Sequence, residues 1–91
     1  MVNAIILIKA EPKKINAIAD QLAQVDTVSE VYSVGGRFDL VAILRCRANE
    51  DIASTVTNHV VGMDGILSTE TLIAFRAVSK YDMERMFSIG A

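Results

Sequence analysis

The chain has 91 residues, of which 52% are hydrophobic, and a formal net charge of −2. A chain this short forms one domain with a small core of its own, so we expect part of its apolar surface to meet another copy. The chain shows no basic stripe, one cysteine, no signal peptide and no apolar run of about 20 residues, which argues against nucleic-acid and membrane partners and predicts a soluble cytoplasmic protein.

The first predicted elements are a strand and a helix. Asn3–Ala10 is apolar on both faces, which is typical of a strand inside a sheet. Pro12 suits the first turn of a helix, where its missing N–H costs nothing. Apolar residues then recur at helical spacing and predict a stripe that covers a sheet: Ile15, Ile18, Ala19, Leu22 and Val25.

A hairpin follows the helix. Val28–Val34 alternates loosely between apolar and polar residues, and Leu40–Leu44 is apolar at every position. The first pattern predicts a half-buried strand and the second a strand covered on both faces. Gly35 and Gly36 lie between them with Arg37, and glycine adopts the positive φ values that tight hairpins require. The loop of this hairpin is therefore the first candidate for a site.

The second half predicts another helix, a long strand and a helical tail. Asn49 is the predicted N-cap of the helix, and its inward stripe comprises Ile52, Val56, Val60 and Met63. Ile66–Val78 is the predicted last strand, placed at a sheet edge because its first half is polar on both faces. The tail carries a capping-box pattern at Ser79–Asp82, and its predicted helical stripe is Met83, Met86 and Phe87.

The element order is β-α-β-β-α-β, which predicts an α+β, ferredoxin-like domain with an antiparallel sheet in the order 4-1-3-2. Residues 1–78 form the predicted domain, and residues 79–91 its short C-terminal helical tail. Two helices cover only one face of such a sheet. We therefore expect a second copy to cover the other face, giving a dimeric α/β sandwich.

Two motifs resemble signatures of a known family, and they lie at Val34-Gly-Gly-Arg-Phe-Asp-Leu40 and Gly65-Ile-Leu-Ser-Thr-Glu-Thr71. The first is similar to the turn that leads into the third strand of the ligand-binding (RAM) domain of Lrp/AsnC transcription regulators. The second is similar to that domain's glycine and Thr-x-Thr signature. The resemblance covers essentially residues 2–78, in the same order and spacing.

The resemblance implies an effector site for amino acids or related metabolites, in clefts between dimers that assemble into an octameric ring. The resemblance and the chemistry of the residues together mark seven candidates for this site: Gly35, Gly36, Arg37, Asp39, Ser68, Thr69 and Thr71. Glycine N–H groups suit a carboxylate, and the Asp39 carboxylate suits an ammonium group. Asp39 equally suits hydrogen bonds to its own turn, and the threonines equally suit β-propensity on a half-wet face.

The chain departs from the family pattern in two ways. It begins at the first strand, without the helix-turn-helix domain of the regulators, so we expect a stand-alone module that does not bind DNA and that assembles with full-length regulators. Gly35 stands where a threonine or serine is common in the family, which removes one hydroxyl from the loop.

Other chemistry-bearing residues have structural interpretations. His59 lies near the inward edge of the second helix and is interpreted as a residue at the core rim, and Cys46 as a small apolar filler. One histidine and one cysteine make no metal-ligand set, and no cofactor is predicted.

Two alternatives to the effector-binding module remain open. One is a small dimeric α/β-barrel enzyme such as a monooxygenase, against which stands the lack of a convergent acid, base or nucleophile set. The other is a plain oligomerisation adaptor with empty clefts.

Overall fold

The computed structural model describes residues 1–78 and residue 80. The predicted tail of residues 79–91 otherwise lies outside the described residues. The predicted element order is confirmed, with a 3-10 turn before α1 and a π-helical turn after α2: β1 (Val2–Ala10), the 3-10 turn (Pro12–Lys14), α1 (Ile15–Ala23), β2 (Val28–Ser33), β3 (Leu40–Cys46), α2 (Asn49–Thr55), the π turn (Val56–Val60) and β4 (Ile66–Ala74).

The four strands form one antiparallel sheet in the order β2-β3-β1-β4, which is the predicted order read from the other edge. The apolar strands β1 and β3 are central, as predicted. Ile6 lies opposite Ala42 of β3 on one side and Thr71 of β4 on the other. This row fixes which regularly paired residues share a face, because side chains alternate between the faces. The register shifts between Lys9 and Ala10 in the β1–β4 pair and between Val28 and Glu30 in the β2–β3 pair.

The helices cover one side of the sheet, which we call the covered face. Alternate residues of β1 and β3 point to this side and are buried: Ala4, Ile6, Ile8, Ala10, Leu40, Ala42, Leu44 and Cys46. They pack against Ile18 and Leu22 of α1 and against Ile52 and Val60 of α2 and the π turn. The predicted inward stripes of both helices therefore form the core.

Two predicted boundaries are wrong. The N-cap of α2 is Ala48 rather than Asn49: the Asp51 carboxylate accepts from the Ala48 N–H at 3.2 Å, and the Asp51 N–H donates to the Ala48 carbonyl at 3.1 Å. β4 ends at Ala74 rather than Val78, because Ala74 pairs with Asn3 near the start of β1 and the partner strand extends no further than Val2. In the described part of the chain, no helix is long and apolar enough to cross a membrane.

Candidate functional site

The loop of residues 34–39 is tied to the end of β1. The Asp39 carboxylate accepts from the Ala10 N–H at 2.9 Å, and the Asp39 N–H donates to the Ile8 carbonyl at 2.8 Å. The Val34 N–H closes the hairpin by donating to the Asp39 carbonyl at 3.0 Å. The interpretation of the Asp39 carboxylate as an acceptor within its own turn is wrong, because the N–H that it accepts from belongs to β1. One Asp39 side-chain oxygen therefore holds the loop in place, and the half-buried carboxylate retains further acceptor capacity.

The tip of this loop exposes its backbone. Gly36 has a φ of +133°, and a Cβ at either Gly35 or Gly36 would meet nothing within 4 Å. Arg37 is exposed, and its carbonyl accepts from the Lys9 ammonium at 3.3 Å. The tip thus presents main-chain groups and a cationic side chain at the edge of the subunit.

The three candidates on β4 divide between the two faces of the sheet. Thr69 lies opposite Ile8, and Thr71 lies opposite Ile6, so both threonines point to the covered side. Ser68 lies opposite Lys9 and points to the other side. All three are exposed: the threonines because the helices do not extend over this edge strand, and Ser68 because it lies on the side away from the helices.

The loop and Thr69 lie at the same end of the sheet. Ile8 pairs with Leu40 of β3 on one side and with Thr69 of β4 on the other. Two strand spacings separate those partners, or roughly 10 Å. The structure therefore brings the loop and Thr69 to one end, places Thr71 one step further along β4, and sets Ser68 on the opposite face.

This end of the sheet carries an ion pair that the sequence reasoning did not single out. The Lys14 ammonium lies 2.6 Å from the Asp64 carboxylate and 3.8 Å from that of Glu11. The hydrogen bond to Asp64 raises the pKa of Lys14 above its ordinary value. No sequence spacing predicts the contact between Lys14 and Asp64, because it depends on how the start of α1 meets the start of β4.

Gly65 makes that meeting possible. Its φ is +95°, and a Cβ at this position would lie 2.8 Å from the Lys14 Cβ. The Gly65 carbonyl accepts from the Glu11 N–H at 2.8 Å. Only glycine combines the backbone conformation with this close approach. The glycine of the second motif therefore has a packing role beside the candidate site.

The side of the sheet away from the helices, which we call the open face, has an apolar centre. Ile5 and Leu7 of β1 lie beside Ile43 and Val41 of β3, and Leu72 of β4 extends the row. The four central side chains are half-buried, and Leu72 is 43% exposed. The described part of the chain supplies no element that covers this face.

Polar groups border the open face. The Tyr32 hydroxyl donates a hydrogen bond to the Glu30 carboxylate at the β2 edge, and this bond raises the pKa of Tyr32. Asn3 lies between Arg45 and Ala74, and its Oδ1 is buried without a hydrogen-bond partner among the described residues. The open face therefore combines an apolar centre with a partly unsatisfied polar rim.

A second concavity lies at the opposite end of the molecule, between the last turn of α1 and α2 with its π turn. This interhelix cleft has a volume of about 500 Å³. Thr27 and Thr55 lie in its lining, with their hydroxyl oxygens 2.5 Å apart, and the buried Thr55 also donates to the Asp51 carbonyl at 2.8 Å. No sequence signal indicates this cleft, because its lining residues are not consecutive and match no motif.

His59 lines the cleft and is exposed. Its interpretation as a residue at the core rim is therefore wrong. His59 and Val60 are neighbours in the π turn, and of the two only Val60, a member of the predicted inward stripe, is buried. Cys46 is buried among the apolar residues, as expected, and burial raises the pKa of its thiol. The described residues contain no group of three metal-ligating side chains.

The chain matches the family model described as the Lrp/AsnC ligand binding domain over residues 3–83. An uncharacterized HTH-type transcriptional regulator of Pyrococcus furiosus is 38% identical over 77 residues, which are 85% of this chain and 51% of that protein. A crystal structure of a protein from Thermus thermophilus is 38% identical with a TM-score of 0.82, and the match covers 88% of this chain and all of that one.

The structure of AsnC from Escherichia coli has a TM-score of 0.78 at 26% identity, and the match covers 86% of this chain and 53% of AsnC. The chain spans about half the length of the curated relatives that it matches. Those relatives are named HTH-type transcriptional regulators, which favours a regulatory module over the enzyme alternative.

Proposed function

The chain belongs to the family of Lrp/AsnC ligand-binding domains, and we propose that it is an effector-binding and oligomerisation module that senses an amino acid or a related small metabolite. The observation that carries this proposal is the anchored loop: the bond from Asp39 to Ala10 fixes a backbone tip whose glycines are open to a ligand. Preorganised backbone donors of this kind suit a carboxylate.

The chemistry of the loop end fits both charged groups of an amino acid. The open N–H groups at Gly35 and Gly36 and the cationic Arg37 suit the carboxylate, while the free lone pairs of the Asp39 carboxylate suit the ammonium group. Thr69, at the same end of the sheet, is exposed and has a hydroxyl to contribute. Thr71 and Ser68 lie further from the loop or on the opposite face, so we assign them contacts with a ligand held between subunits.

Association is the second part of the proposal. The open face exposes a row of aliphatic side chains on three strands, and covering it with the same face of a second copy buries them by an isologous contact. We therefore propose a homodimer through the open face, and a ring of four dimers that places loop ends of neighbouring dimers side by side.

We propose that the module acts without contacting DNA and modulates full-length regulators by assembling with them. The net charge of −2 and the scattered cationic residues support this part, because DNA-binding surfaces concentrate Lys and Arg.

Isothermal titration of the purified protein against the common amino acids tests effector binding. We expect at least one to bind with a submillimolar Kd. Asp39→Asn should weaken that binding about tenfold without unfolding the loop, because an Asn oxygen still accepts from the Ala10 N–H. Asp20→Asn, an equal change of charge on the exposed side of α1, is the control.

Absence of binding to every amino acid at millimolar concentration, in a protein that still forms dimers, would overturn the effector proposal and leave the oligomerisation adaptor. A monomer at micromolar concentration by light scattering would overturn the assembly.

A further inference from the structure

The interhelix cleft has the size of a ligand site. Its volume of about 500 Å³ falls within the range of roughly 300–1,000 Å³ that is usual for small-molecule pockets. One wall is the C-terminal end of α1 and the segment that leads to β2, and the other is α2 with the π turn. The hydrogen bond between Thr27 and Thr55 joins the two walls, so the cleft lies within one subunit.

The charge of the cleft is negative. Asp26 and Asp51 line it, and no lysine or arginine is among its lining residues. Asp26 is exposed and makes no hydrogen bond or ion pair within the described part of the chain. Asp51 gives one carboxylate oxygen to the Ala48 N–H and keeps the other. α1 ends here, at Ala23, and α2 begins here, with Asp51 in its first turn, so the partial charges of the two helix ends oppose each other and the carboxylates give the cleft its sign.

The remaining lining groups add acceptors. Gln21, Gln24 and Asn58 contribute amide oxygens, and Ser54 contributes a hydroxyl. The π turn brings Asn58 and His59 to the cleft wall while Val60 stays buried: its wider ring is closed by the Val61 N–H, which donates to the Val56 carbonyl at 2.8 Å. π turns are rare and recur at functional sites.

We propose that the interhelix cleft is a second ligand site, and that it binds a small organic cation with several N–H donors, such as a primary amine or a guanidinium compound. The carboxylates of Asp26 and Asp51 supply the charge complement, and the amide and hydroxyl oxygens accept the remaining N–H groups. An anion of the same size meets two carboxylates and is repelled.

This site is separate from the effector site proposed above. The cleft lies at the end of the sheet where β2 begins and β3 ends, whereas the loop of residues 34–39 lies at the end where β2 ends and β3 begins. The proposal goes beyond the proposed function and does not depend on it.

Titration with putrescine, followed by backbone amide chemical shifts of the full chain, tests the proposal. We expect shifts at residues 21–27 and 51–59 that saturate at millimolar putrescine or below, with residues 34–39 unmoved. Succinate, a dianion of similar length, should produce no shifts in these segments. The chemical shifts of residues 34–39 report amino-acid binding at the effector site, and those of residues 21–27 and 51–59 report binding in the cleft. Failure of binding at one site is therefore distinguished from failure at the other.

Matched variants locate the charge. Asp26→Asn should weaken putrescine binding at least fivefold, and Asp20→Asn, exposed on α1 outside the cleft, should change it by less than twofold. Ser54→Trp should fill the cleft and abolish the shifts, whereas Thr57→Trp, exposed on the π turn but outside the lining, should preserve them.

Three results would overturn the proposal: no saturable shifts at 21–27 and 51–59 with putrescine at about 10 mM, equal weakening by the two Asp variants, or equal shifts with succinate. The second result would mean diffuse attraction to a negatively charged protein and no defined site.

Discussion

The two faces of the sheet are made by the same strands and differ in what covers them. On the covered face, Ile6 is fully buried beneath the helices. Leu7, the next residue of β1, points to the open face and is only half-buried. Both are aliphatic and both are central in the sheet. The sequence of β1 therefore places aliphatic side chains on both faces, and the described chain covers only one of those faces.

The strongest destabilisation is expected on the covered face. Ile6→Ala removes a fully buried side chain and leaves a cavity, which should lower the free energy of unfolding by about 2–5 kcal/mol. Leu7→Ala should lower the free energy of unfolding of the monomer by less than Ile6→Ala does, because the Leu7 side chain is still partly exposed to water. Urea denaturation at two protein concentrations measures both. Equal losses that do not vary with concentration would contradict the distinction between the faces.

A charge on the open face should break association. Leu7→Glu places a carboxylate in the centre of the proposed dimer contact, where it has no partner, and should raise the dimer dissociation constant at least roughly 100-fold. Ala17→Glu, exposed on α1, carries the same charge and should leave the dimer intact. Analytical ultracentrifugation separates the cases, and an unchanged dimer in Leu7→Glu would exclude the open face as the interface.

The 3-10 turn before α1 packs closely against Gly65, the residue that precedes β4. Gly65→Ala places a Cβ 2.8 Å from the Lys14 Cβ, on a residue whose φ is +95°. The substitution should therefore lower the free energy of unfolding by an amount on the order of 1–3 kcal/mol. Gly35→Ala, where φ is not in the positive range and no atom lies within 4 Å, should be neutral or stabilise slightly. Thermal denaturation tests the pair, and a similar loss in both variants would contradict this account.

The weakest effect concerns Cys46, which is buried on the covered face. Burial, and then the negative charge of Asp51, raise the pKa of its thiol above the ordinary 9.0. The folded state therefore holds the proton to higher pH than the unfolded state. The stability that the protonated Cys46 thiol contributes is fully present below pH 9.0, and it is lost as the pH rises through the pKa of the folded state.

Unfolding measured between about pH 8 and 11 should show a decline in stability that is shallower in Cys46→Ala. Alkylation by iodoacetamide at about pH 8 should be slow in the native protein and fast in urea. Rapid native alkylation would show that the covered face is open at this edge.

Much of the fold is predictable from the sequence, because it depends on local periodicity. The continuous apolar runs of β1 and β3 identify the central strands, and the helical stripes identify the side chains that cover them. Boundaries are predictable only where the signal is local. The end of β4 at Ala74 is not encoded by its own segment, because it depends on the length of β1. The N-cap at Ala48 has a local signal in the Asp51 side chain three residues later, but Ala48 has no capping side chain of its own by which a sequence pattern would identify it.

The candidate site is only partly predictable. The motifs locate the loop of residues 34–39 and the segment of Thr69 and Thr71, but they do not indicate that Asp39 bonds to β1 or that Ser68 points to the opposite face. The interhelix cleft and the exposed position of His59 have no sequence signal, because the π turn departs from the spacing on which helical predictions rest.

Side-chain period is thus enough to establish the element order and the central strands, and the two motifs carry the family resemblance, because these signals act within a few residues. The folded chain alone reveals which groups meet across strands and helices: the Asp39 carboxylate with the Ala10 N–H, the Lys14 ammonium with the Asp64 carboxylate, and the Thr27 hydroxyl with that of Thr55. Such pairs join residues far apart in the chain, and their contact depends on sheet register and helix placement, which no local pattern records.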